Sequence, residues 1–152
     1  MTVTIRLDTK SLDDVLRQLE DDVTEAVRPA AQAAAQVLYN AVKTNVGALG
    51  RKTGNLDRSI YQVYSKTKSN AEVASYEIGW NRRIAPHGQL VEFGHIQKYA
   101  AVYTKEGKWI TLKNRPLATP KQVAARPFIR PAQSRFPQAL EAARAELLKR
   151  IK

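Results

Sequence analysis

His87, Glu92 and His95 are the residues of this chain whose types most readily do chemistry. Two imidazoles and a carboxylate can hold a divalent cation or move a proton near neutral pH. The spacing argues against both uses. Glu92 and His95 are three apart, but Gly94 lies between them and ends any local helix, so they do not share a helical face. The pattern matches no zinc motif. No Gly-x-Ser-x-Gly elbow announces a serine nucleophile, and no glycine-rich loop is placed to cradle a phosphate. The chain has no cysteine, which removes thiol chemistry, Cys-based zinc sites and disulfides. The residues therefore read as non-enzymatic, with no cofactor and no metal; a metal-dependent hydrolase would rest on the histidine pair alone.

The same segment makes better sense as structure. In Leu90-Val91-Glu92-Phe93-Gly94, the apolar residues Leu90, Val91 and Phe93 are expected to anchor a short helical turn over His87–Phe93 to the core. Gly94 permits positive φ, and Glu92 caps or pairs. Its expected partner is Arg126 or Arg130, whose planar fork suits a carboxylate. Both arginines lie in Ala124-Ala125-Arg126-Pro127-Phe128-Ile129-Arg130-Pro131-Ala132. There Pro127 and Pro131 fix φ near −65° and remove two amide donors, and each arginine precedes a proline and is steered from helical geometry. The outcome is a stiff arm presenting Phe128 and Ile129.

The elements that position these segments follow from periodicity. Val3, Ile5 and Leu7 alternate in Thr2–Asp8 as in a half-buried strand. Ser11 with Asp14 is a helix start of the capping-box type. From Leu12 to Ala41 apolar residues recur at three- and four-residue steps, predicting one long helix over about 11–46. Pro29 falls inside it without changing the phase, so a kink is expected. The small residues of Ala30–Ala35 predict a close contact, either with the protein's own sheet or, alternatively, helix to helix between subunits. Gly47, Gly50 and Gly54 mark a flexible connection carrying Arg51 and Lys52. Ile60–Ser65 and Glu72–Trp80 read as a hairpin with Ala74, Tyr76, Ile78 and Trp80 facing the core. Tyr99–Tyr103 and Lys108–Leu112 form a second hairpin. Lys113–Ala125, with Pro116 and Pro120, is expected to be an exposed loop. Phe136, Leu140, Ala143, Leu147 and Ile151 form the stripe of a final helix over about 133–151. The prediction is one α+β domain across 1–152, in which a small antiparallel sheet, within a β-rich middle of about 58–125, is packed by the N- and C-terminal helices.

Net charge is +11 over 152 residues, and it is unevenly spread. Residues 1–46 carry five Lys/Arg against seven Asp/Glu, whereas 82–130 carry ten against two. Such a concentration favours an acidic protein surface or phosphates, against the plainer reading of a solvated basic face that keeps the protein soluble. Arg82, Arg83, Lys105, Lys108, Lys113, Arg115 and Lys121 are the candidate docking cations. No apolar run approaches the ~20 residues of a membrane span, and Met1–Arg6 lacks the apolar core of a signal peptide. A soluble chain with no membrane partner, assembled in a reducing cytoplasm, is expected.

Three stretches, taken in order, carry a resemblance: Thr53-Gly54-Asn55-Leu56-x-x-Ser59-Ile60, Val91-Glu92-Phe93-Gly94 and Ala125-Arg126-Pro127-Phe128-x-Arg130-Pro131-Ala132. Set between a long N-terminal helix and a final helix, they resemble the minor tail components of tailed bacteriophages, the tail-completion or head–tail joining proteins of the neck in lambda-like long-tailed phages. The resemblance runs from about Leu12 to about Leu147, with Asp57 standing where a basic residue is frequent and His95 where a small polar one is. It implies a structural virion protein acting as a ring, a hexamer by family habit, between the tail tube or its terminator and the head connector, assembled in the host cytoplasm. The basic segments then dock neighbouring proteins or face DNA passing through the neck. The competing reading is a basic nucleic-acid-binding module, in which Tyr99, Tyr103 and Trp109 among lysines stack bases.

Overall fold

The computed structural model describes residues 9–50, 53–107 and 109–151, with the side chains of 9–13 left out. The expected strand Thr2–Asp8, the Ser11 cap, and the cations Arg51, Lys52 and Lys108 lie outside the described residues. The element order is α1 (Thr9–Ala48), α2 (Asn55–Ser59), β1 (Ile60–Tyr64), a 3₁₀ turn (Lys66–Lys68), β2 (Tyr76–Trp80), α3 (Gly88–Phe93), β3 (His95–Tyr103), β4 (Trp109–Val123), a 3₁₀ helix (Arg130–Arg135) and α4 (Phe136–Arg150). The fold is α+β as expected, and among the described residues it carries two two-stranded sheets, β1–β2 and β3–β4, where one sheet was expected. The chain divides into two compact units, one from the described residues of Met1–Val37, Val63–Glu77 and Phe136–Lys152, the other from Leu38–Gln62 and Ile78–Arg135.

In the first unit, α1 runs unbroken through Pro29. Ala26, Ala30 and Ala35 are buried there, as the run of small residues anticipated. Small side chains let the β1–β2 region come close. The Arg28 guanidinium lies 4.4 Å from the Tyr64 ring centroid, and the Tyr76 hydroxyl donates to Gln32 Oε1 at 3.3 Å. Tyr64 and Tyr76 meet edge to face across the hairpin at 5.4 Å. Of the expected final stripe, Ala143, Leu147 and Ile151 are half-buried, and its first part departs from expectation. Ala139 is the buried residue of α4, while Phe136 and Leu140 are exposed. Ala139, Ala143 and Leu147 follow one another at helical steps, so the covered line takes Ala139 in place of Phe136 and Leu140 and keeps the rest.

The second unit holds the larger apolar core. Val42 and Val46 of α1, Ile60 of β1, Phe128 and Ala132 form its centre, with Leu49, Leu56, Ile78, Trp80, Val91 and Ile129 packed round them. Phe128 is completely buried and meets Trp80 edge-on at 5.6 Å. Ile78 and Trp80 thus face the core as the alternation of β2 requires. Gly88 exists to admit that tryptophan, since a Cβ there would sit 2.7 Å from Trp80 Cδ1.

β3 and β4 pair antiparallel, from Tyr103↔Trp109 at the turn to His95↔Val123 at the base. The ribbon corrects the expected loop over Lys113–Ala125, which is strand as far as Val123. The prolines are accommodated by breaks in register. Ala100 pairs with Leu112 but Tyr99 with Pro116, and Gln97 pairs with Lys121. Residues 113–115 and 117–120 therefore bow out of the ladder, so Pro120 needs no ladder partner. Exposure of the stretch is as expected, because both strands are largely uncovered.

Candidate functional site

The site is built around one buried carboxylate in the second unit. α3 is a single short helix, and among its residues Glu92 is buried to 2 % exposure while Leu90 and Phe93 are exposed. This inverts the expected anchoring, in which Leu90, Val91 and Phe93 faced inward; Val91 alone of the three packs on the core. The reason is the use made of Glu92. Its Oε2 accepts from the amides of Phe128 at 2.7 Å and Ile129 at 3.0 Å. Its Oε1 accepts from the Arg130 amide at 3.1 Å and from Arg130 Nε at 3.3 Å. Arg130 Nη2 also donates to the Glu92 carbonyl at 2.7 Å.

The prolines explain why three consecutive amides are free to converge. Arg126 donates its amide to Val91 O at 2.8 Å. Pro127 has none to give, residues 128–130 give theirs to Glu92, and Pro131 has none. Every main-chain donor from 126 to 131 is thereby accounted for. The Phe128 carbonyl is satisfied by Asn45 Nδ2 at 2.9 Å, which ties the arm to α1. Gly94 closes the other side. Its φ is +71°, and a Cβ there would lie 2.7 Å from Val123 O and 2.8 Å from Ala125 N. Only glycine lets the turn after α3 run that close to the arm.

Burial alone would push the Glu92 carboxyl up, but the amides of Ile129, Phe128 and Arg130 and the Arg130 side chain together outweigh it and hold the group below the ordinary carboxylate range. Glu92 is thus an anion with its lone pairs engaged, a clasp and not a general base. Of the two arginines proposed as its partner, Arg130 makes the contact. Its guanidinium also lies 5.3 Å from the Phe93 ring centroid, covering a ring that the core does not.

Arg126 points elsewhere. It lines a cleft of about 720 Å³ with His87, His95, Leu90, Val91, Val46, Leu49, Leu56 and Val123 among its walls. Both histidines line the cleft, but Glu92 does not, because its carboxylate faces the arm. Asp57, also on the cleft wall, is bound to Lys43 Nζ at 2.5 Å. Among the described residues no three His, Asp or Glu side chains come together to hold a metal ion. The cations singled out in the sequence lie in two places. Arg82 and Arg83 sit in the exposed turn after β2, with the Arg82 guanidinium 5.9 Å from the Trp80 ring centroid. Lys105, Lys113, Arg115 and Lys121 are exposed on the β3–β4 ribbon.

The family model described as "Bacteriophage HK97-gp10, putative tail-component" matches residues 10–94. The chain belongs to the HK97-gp10-like family of phage tail components. The matched span takes in α1, the Thr-Gly-Asn-Leu stretch and the clasp helix as far as Gly94. The arm that Glu92 holds lies beyond it, joined to the matched part by the contacts above. No curated protein and no solved structure matches the chain. As a member of this phage tail-component family, the protein is placed in the virion tail, where it meets other virion proteins. Among the described residues no helix is long and apolar enough to cross a membrane.

Proposed function

We propose that this protein completes the tail or joins it to the head, acting at the neck as a non-catalytic ring between the tail tube or its terminator and the head connector. The family match over 10–94 carries the reading. The geometry supports it in kind. Glu92, buried and accepting from three main-chain amides, fastens one chain segment to another instead of facing an open site. The exposed ribbon offers apolar and cationic side chains to neighbours. Assembly would take place in the host cytoplasm, and a sixfold ring is the symmetry the family implies.

The test is in vitro joining. Tail tubes made without this component are mixed with filled heads, with and without the purified protein, and joined particles are counted by electron microscopy. Joining that depends on the protein is expected; equal joining without it would overturn the role. The nucleic-acid reading draws on Tyr103 and Trp109, whose ring centroids lie 5.3 Å apart at the ribbon tip among lysines. It would replace the neck role if the protein ignored tubes but held single-stranded DNA in a salt-sensitive way.

A further inference from the structure

Two exposed surfaces of this chain are complementary. The first is the N-terminal part of α1. Residues 13–25 contain six Asp/Glu and one Arg, and Val15, Leu16 and Leu19 on that stretch are exposed, Leu16 to 57 %. These apolar residues continue the stripe that is buried from Ala26 onward, so the helix carries its inward-facing pattern past the part that is covered. The second is the β3–β4 ribbon. Residues 95–123 contain six Lys/Arg and one Glu, and Ile96, Tyr99, Val102, Tyr103, Trp109 (55 %) and Ile110 are exposed.

The ribbon's pairing shows that this exposure is not confined to one side. Val102 lies opposite Ile110, and Tyr103 opposite Trp109. Successive residues of a strand point to opposite faces, so large apolar side chains stand uncovered on both. Two strands with neither face packed are marginal on their own, and such patches on a protein mark an interaction surface. Lys98, Lys105, Lys113, Arg115 and Lys121 make no ion pair among the described residues. The surplus of five positive charges on the ribbon matches a surplus of five negative charges on the helix segment.

We propose that the ribbon of one copy docks on the acidic start of α1 of the next copy. The occupant is a second copy of this chain, because the same molecule supplies both halves of the charge pattern and both uncovered apolar surfaces. The contact is heterologous, joining two different patches. Repeated head to tail, it generates a ring where the rotation closes. The inference deepens the neck-ring reading by naming the surfaces that build the ring, and it rests on that reading for its biological setting. Acid on one surface and base on the other steer the encounter and fix orientation, while the apolar residues supply the burial.

The experiment uses the full chain and two triple variants. One reverses the ribbon (Lys98→Glu, Lys113→Glu, Arg115→Glu), the other the helix (Asp14→Lys, Glu20→Lys, Asp21→Lys); lysine is a good helix former, and circular dichroism verifies folding. Mass is read by light scattering at about 0.05 M salt and again near 1 M, where screening is within about 3 Å. The wild type is expected to associate at low salt and to fall towards monomer at high salt. Each variant alone stays monomeric, since its two surfaces now repel. Mixed, the two variants regain assemblies with even copy numbers, because they must alternate. A monomeric wild type at low salt, a variant that assembles alone, or a mixture that stays monomeric would each overturn the interface. Mixed assemblies that form yet leave heads and tails unjoined would keep the interface and overturn the neck role.

Discussion

Removing the Glu92 carboxylate should damage the fold far more than its place on a six-residue helix suggests. In Glu92→Ala the amides of Phe128, Ile129 and Arg130 lose their acceptor together, and Arg130 Nε loses its anion. Hydrogen bonds to a charged group are each worth about 1.5–3 kcal/mol, and a buried donor left without its acceptor costs about 1–3 kcal/mol, neither adding simply; Arg130 itself is half exposed and can turn to water. An overall loss of about 3–5 kcal/mol is therefore expected, a large part of the ~5–15 kcal/mol by which domains are stable. Glu92→Gln keeps one acceptor for Phe128 and Ile129 but turns an NH₂ toward the Arg130 donors, so about 1.5–3 kcal/mol is expected. Urea unfolding followed by tryptophan fluorescence is the assay, since Trp80 packs on Phe128. The pH dependence adds a second readout. The folded carboxyl is held below its ordinary value of about 4.5. Its contribution is therefore complete above that value and is lost as pH falls through the folded pKa. Glu92→Gln should flatten this acid-side loss. A Glu92→Ala midpoint shifted by less than about 0.5 kcal/mol, the range of ordinary surface changes, would refute the clasp.

Gly94→Ala should cost at least about 1–3 kcal/mol from backbone strain, because φ is +71° and the added carbon meets Val123 O; thermal unfolding measures it. Phe128→Ala should cost about 3–5 kcal/mol by opening the core, with a lowered urea midpoint as readout. Arg130→Ala should lower stability by about 1–3 kcal/mol through its contacts to Glu92. Arg126→Ala, whose side chain is exposed on the cleft, should stay within about 0.5 kcal/mol and show any effect in assembly, so that equal thermal shifts for the two arginines would contradict the assignment.

Much of this was legible in the sequence because the signals were long or chemically specific. The α1 stripe spans so many turns that Pro29 could not hide it. The carboxylate–arginine pairing was foreseen from Glu92 and two arginines next to prolines, and the structure selected Arg130. What could not be read was direction. A six-residue helix is too short for periodicity to say which side faces in, and here three main-chain amides outbid Leu90 and Phe93 for the buried place. The signal that was available is the spacing of Pro127 and Pro131, which leaves exactly the amides of 128–130 without ladder partners. Ribbon β4 was hidden by Pro116 and Pro120, because prolines argue against a strand unless register breaks absorb them. In α4, large apolar residues at Phe136 and Leu140 outweighed in pattern the Ala139 that is actually covered.

The central claim is a ring at the end of the tail, and the most direct measurement is where the protein sits. Purified protein carrying a small label is added to tail tubes that lack it, and its position and copy number per tube are determined by electron microscopy. The account predicts a single ring confined to one end of each tube. Label scattered along the tubes, or absent from them, would contradict it.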